Sequence, residues 1–162
     1  MPARTGYSRT QIALHWIVFG LIAQQFLFRD AMSEAWDRLA DDPASAFDPL
    51  VLAHVAGGAA VLVLVLWRLA IRVRHGAPAP VEGTKVQAFV AKLTHGGLYA
   101  LLILMPLSGA VAWFGSVDVA AQGHNLMKVI LVALVAIHLV GVLHHHFVLR
   151  DGTLARMRRA GG

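Results

Sequence analysis

The chain has 162 residues, 57% of them hydrophobic and only 14% charged, with a net charge of +5 and no cysteine. Ordinary soluble domains carry roughly a quarter charged residues, so this composition argues against a soluble globular domain. The missing cysteines exclude disulfide staples and thiolate metal sites, and any metal must be held by nitrogen or oxygen.

Four runs contain no charged residue: 10–28, 49–67, 93–117 and 129–149, which are 19, 19, 25 and 21 residues long. About 20 apolar residues cross about 30 Å of hydrocarbon as a helix, so each run can span a bilayer. The pattern predicts an all-α, four-helix transmembrane bundle in one membrane domain over 1–162, with helices at about 8–29, 48–74, 86–114 and 121–149. The first run follows Arg4 and Arg9 as a signal peptide would, but it is too long for that and lacks a small-residue cleavage site, so a permanent helix is expected. Residues 30–48 form an acidic loop with enough Ala, Trp and Leu between 31 and 40 for a short interfacial helix. Residues 76–83, with Pro78 and Pro80, read as a turn between two hairpins. Pro106 within the third span predicts a kink, and the short connection 115–123 makes the third and fourth spans antiparallel neighbours.

Charge sorts by membrane side. With the N-terminus in the cytoplasm, Arg4, Arg9, Arg68, Arg72, Arg74, Lys85, Lys92, Arg150, Arg156, Arg158 and Arg159 lie inside, and only Arg29, Arg38 and Lys128 lie outside. The positive-inside rule therefore gives an N-in, C-in orientation. The basic excess is topology, so no nucleic-acid partner is expected.

Six of nine histidines, His15, His54, His95, His124, His138 and His145, fall within or at the edges of the spans. An ionisable group in a bilayer costs a few kcal/mol unless it pairs or binds something, so each is a candidate site residue. Depth follows from counting: His15, His54 and His124 each stand six residues beyond a charged boundary, Arg9, Asp48 and Asp118. That is about 9 Å of helix, which puts His15 near the inner face and His54 and His124 near the outer face. His138 follows His124 by fourteen residues, about 21 Å along nearly the same side of the helix, level with His15. Two imidazole pairs result, His54 with His124 and His15 with His138. Zinc normally takes three or four ligands, whereas a haem takes two axial nitrogens, so bis-imidazole haem suits these pairs better. Gly57, Gly58 and Gly141 leave room near the histidines for a porphyrin.

The motifs Leu14-His15-Trp16, His54 with Gly57 or Gly58, His95-Gly96-Gly97-Leu98-Tyr99 before Pro106-Leu107-Ser108-Gly109, and His138 leading to His144-His145-His146 and Arg150-Asp151-Gly152 resemble the bacterial cytochrome b561 family, related to the cytochrome b subunit of nickel-iron hydrogenase. The resemblance implies two haems b on His15, His54, His124 and His138. It also implies electron transfer between a periplasmic-side donor and ubiquinone, the best defined activity being superoxide oxidation. The segment 118–123 is shorter and has no lysine, unlike the superoxide-oxidising members. His95, at the level already served by His15 and His138, is read as a non-ligand.

Arg29 and Arg68 each follow a candidate ligand by fourteen residues and are candidate partners for haem propionates. His145, about 10.5 Å beyond His138, is a candidate proton relay for quinone reduction. Two alternatives stay open: a non-catalytic relay or anchor that serves a dehydrogenase or hydrogenase partner subunit, and a divalent-metal transporter.

Overall fold

The computed structural model describes residues 6–76 and 84–160. It is all-helical, with no strand among the described residues, and four of its helices are long and apolar enough to cross a membrane. Helix α1 spans Arg9–Leu27, started by a capping box in which the Ser8 hydroxyl accepts from the Gln11 amide and the Gln11 side chain accepts from the Ser8 amide. Helix α2, Arg29–Arg38, follows with only Phe28 between them. A 3-10 turn over Pro43–Phe47 leads to α3, Pro49–His75, where Pro49 opens the helix and the Asp48 carboxylate accepts from the Leu50 amide at 2.7 Å. Gly76 ends α3 at φ +73°, a conformation glycine adopts without penalty.

Helix α4, Lys85–Gly115, begins with a second capping box, Thr84 with Gln87, and carries Pro106 inside one continuous helix. Helix α5, Asp118–Leu143, continues into a π-helical turn over His144–Leu149, and the short helix α6, Thr153–Arg156, lies close to the C-terminus. Most of the turn expected at 76–83, Pro78 and Pro80 included, lies outside the described residues.

The short helix expected at 31–40 is present as α2, Arg29–Arg38. The expected connection 115–123 is not a loop. Ser116 in the left-handed region and extended Val117 complete the turn alone, and α5 begins at Asp118, whose carboxylate favours the positive end of the helix. Gly123 is therefore helical. The first span also ends earlier than expected, because Phe28 leaves helical geometry and Arg29 belongs to α2.

Helices α1 and α3 pack together, α3 packs on α4, and α4 on α5, whereas α1 and α5 run alongside each other less closely. The best buried cluster, Val18, Val61 and Val65 with Leu21, Ile22, Leu64, Tyr99, Leu102 and Ile103, sits among α1, α3 and α4. Helix α5 buries only Leu131. Helix α2 packs on α3, burying Ala35, and its Trp36 lies 6.3 Å from the Trp113 ring near the end of α4. Large apolar side chains such as Phe114, Val129, Val140 and Val63 are exposed on the bundle surface, as expected of helices whose solvent is lipid.

Candidate functional site

The two ends of the bundle hold different histidine groups. At the end where α1 begins and α3 finishes, the inner end in the expected orientation, His15 of α1, His95 of α4 and His138 of α5 converge. The His15 and His138 ring centres lie 6.3 Å apart, and those of His95 and His138 5.2 Å. Two metal–imidazole bonds of about 2 Å in line, plus the reach from each nitrogen to its ring centre, come to about 6 Å. The His15–His138 separation matches that figure, and the His95–His138 separation is too short for it. The His95 Nδ1 donates to the Ala91 carbonyl at 2.7 Å, one turn back on its own helix, which leaves its Nε2 with a lone pair, so it is the short separation from His138 that sets His95 apart.

Cations gather at the same end. Arg68 donates from Nε to the Tyr99 hydroxyl at 3.0 Å and from Nη1 to the Gln11 carbonyl at 2.9 Å, which ties α3 to α4 and α1. The Arg72 guanidinium stands over the Tyr99 ring, 6.0 Å from its centre. Gln11, itself buried, donates to the Gly76 carbonyl. Arg68 is half-buried, and its Nη2 is free among the described residues to meet a carboxylate such as a propionate.

At the outer end His124 of α5 approaches α4. Its Nδ1 lies 3.0 Å from the Met105 carbonyl and 3.4 Å from the Ser108 hydroxyl, which itself donates to the same carbonyl. A carbonyl only accepts, so Nδ1 carries the proton and Nε2 keeps a lone pair, the state a metal-ligating imidazole needs. A Cβ on Gly109 would stand 3.2 Å from the His124 ring, so the absent side chain makes space for that ring. His54 stands in the second turn of α3. The His54 Nδ1 faces the Gln25 carbonyl but, though enclosed, meets no partner at hydrogen-bond distance, and the Gln25 Nε2 is also unpartnered. An unmet buried nitrogen of this kind costs about 1–3 kcal/mol.

Thus the structure brings His15 and His138 together, with His95 beside them, and places His54 and His124 near the starts of α3 and α5. No group of three or more His, Cys, Asp or Glu able to hold a metal ion occurs among the described residues. The donor set fits haem: a pair of half-buried imidazoles at each level, one pair at the required span and one imidazole already held in the ligating tautomer. Of the three glycines expected to leave room, Gly58 and Gly141 face open space, whereas a Cβ on Gly57 would collide with the Gln25 and Gln24 side chains.

Two secondary expectations change. Arg29 is exposed and paired with Asp30 at 3.0 Å; since it starts a new helix, the fourteen-residue register from His15 does not carry to it. His145 is bonded through Nδ1 to Asp151, an ion-pair geometry that the sequence reading missed. Burial alone would raise the Asp151 carboxyl, but bonds from the His145 imidazole and from the Thr153 hydroxyl and amide bring it down to about 2. Also missed were Ser108 and the Met105 carbonyl. Ser108 stands in the quoted motif, but only the approach of α4 to α5 gives it a role.

A model of the prokaryotic cytochrome b561 family matches residues 6–160. Cytochrome b562 of Cereibacter sphaeroides is 38% identical over 161 residues, covering 98% of this chain and 99% of that protein. A probable superoxide oxidase, CybB, of Yersinia pestis is 27% identical over 175 residues, covering 93% of this chain and 94% of that one.

Proposed function

From the membership of this chain in the prokaryotic cytochrome b561 family, we propose that this haem b membrane cytochrome carries electrons across the bacterial inner membrane through two haems, from a donor on the outer side to ubiquinone. Haem b would supply one-electron chemistry at its iron, held by His15 with His138 and by His54 with His124. The observation that carries the reading is the 6.3 Å separation of His15 and His138, two imidazoles from helices that otherwise pack loosely.

In this reading His15 and His138 hold the inner haem, and His54 and His124 the outer one. The Met105 carbonyl and Ser108 fix the His124 ring and make its Nε2 a better donor. Arg68, anchored by Tyr99 and Gln11, offers its remaining donors to an inner propionate. His145, bonded through Nδ1 to the Asp151 carboxylate, is the proton carrier of this reading, at the end where quinone reduction consumes protons. In this reading both termini face the cytoplasm, which the eleven-to-three distribution of cations supports.

Superoxide is the donor favoured by the likeness to the probable superoxide oxidase of Yersinia pestis. Stopped-flow mixing tests it. Superoxide should reduce the haems rapidly, and added ubiquinone should reoxidise them. Haems that stay oxidised with superoxide while a quinol reduces them readily would instead support the relay or anchor subunit, which co-purification of a stoichiometric redox partner would identify.

A further inference from the structure

The segment after the fourth span is built rather than trailing. The apolar span ends at Leu149, and the chain there passes from a π-helical turn into Arg150 at φ +53°. Left-handed backbone is costly for a residue other than glycine and persists only where its surroundings impose it. The surroundings here are two anchors. Asp151 is held by His145 and Thr153, and further on the Met157 carbonyl accepts from the Trp16 indole at 3.0 Å, which returns the segment to α1. π-Helical turns and strained residues are both concentrated at functional sites.

Between the π-helical turn and α6 lies a cavity of about 470 Å³, walled by Arg150, Arg158, His146, Phe147 and Leu154 among others. Arg150 and Arg158 have no ion-pair partner among the described residues, because the neighbouring carboxylate, Asp151, is consumed by His145 and Thr153 and does not line the cavity. The cavity therefore has two unneutralised guanidinium groups at one end of a span, beside apolar walls. Phe147 and Val148, on the adjoining turn, are 65% and 66% exposed.

The geometry points to a binding site for the phosphate of an anionic phospholipid, drawn from the leaflet on the side of the chain termini. Guanidinium matches phosphate by paired, charge-assisted hydrogen bonds. The position one residue beyond the apolar span is headgroup depth, and Phe147 and Leu154 suit the start of an acyl chain rather than a free inorganic anion. The site is separate from the histidine pairs, and the inference does not depend on the electron-transfer reading.

The test uses haem-loaded protein in neutral detergent, titrated with phosphatidylglycerol or phosphatidylcholine and followed by native mass spectrometry and thermal unfolding. Phosphatidylglycerol should bind and raise the unfolding midpoint, and phosphatidylcholine should do so far less. The double variant Arg150→Gln/Arg158→Gln should bind phosphatidylglycerol about tenfold or more weakly, as expected from losing two basic residues at an anionic surface, with the haem spectrum unchanged. Leu154→Glu, which puts a carboxylate in the cavity wall, should act likewise and serves if the double variant does not fold; Arg38→Gln, in α2, should have no effect. Equal binding of the two lipids, undiminished binding by the variants, or displacement of phosphatidylglycerol by millimolar inorganic phosphate overturns the inference.

Discussion

The two ends of this bundle solve the same problem, holding an imidazole pair in a membrane, with different surroundings. The outer candidates have one nearby cation, Lys128, one turn beyond His124 and bonded to Asn125; His124 itself rests on a backbone carbonyl and a serine hydroxyl, and His54 has no partner for its Nδ1. The inner pair sits beside a third imidazole and a cationic network of Arg68 and Arg72 organised by Tyr99. Fixed positive charge favours the electron-rich state of a nearby redox centre, and charge and hydrogen bonding are among the levers by which a protein sets a haem potential. On the proposed two-haem reading, this asymmetry would draw an electron from the outer site toward the inner one.

The largest expected effect is loss of one site at a time. His138→Leu should remove the inner haem and leave the outer, and His54→Leu should do the reverse; low-temperature reduced-minus-oxidised spectra separate the two. If neither substitution removes a haem, the pairing is wrong. Next in size is Gly109→Val. Its Cβ would press on the His124 ring from 3.2 Å, so the outer haem should be lost or substoichiometric while the inner remains, as read from the same spectra.

Arg68→Gln addresses the charge asymmetry. In a redox titration the inner haem should become harder to reduce while the outer holds its potential, and equal shifts in both would show that Arg68 acts on the whole bundle. A smaller change is expected for His95→Leu, which should keep both haems because the His95–His138 separation of 5.2 Å is too short for two in-line iron bonds. The smallest effect concerns acid. The Asp151 carboxyl is lowered from 3.8 to about 2, so its contribution is fully present above about pH 4 and is lost as pH falls through about 2. Hydrogen exchange of the C-terminal segment should accelerate over that window, and Asp151→Asn should exchange fast throughout and show no such step.

The spans and the histidine levels were legible in the sequence for a common reason. Hydrocarbon excludes charge, so boundaries such as Arg9, Asp48 and Asp118 mark depth, and a fixed helical rise then places His15, His54 and His124. Contacts between helices carry no comparable signal. Nothing in the order of residues says that Ser108 meets His124 or that Arg68 meets Tyr99, because these depend on how α4 lies against its neighbours. The connection at 115–123 was misread because Ser116 can enter the left-handed region without being glycine. The contact of Trp16 with Met157 joins residues near opposite ends of the chain and is a product of the whole fold.

The central claim is that two imidazole pairs at two depths each hold a haem. A pyridine-haemochrome assay of the purified protein, referred to its concentration from amino-acid analysis, tests this most directly. Two haems b per chain is the expected result; one haem, or none, would contradict it.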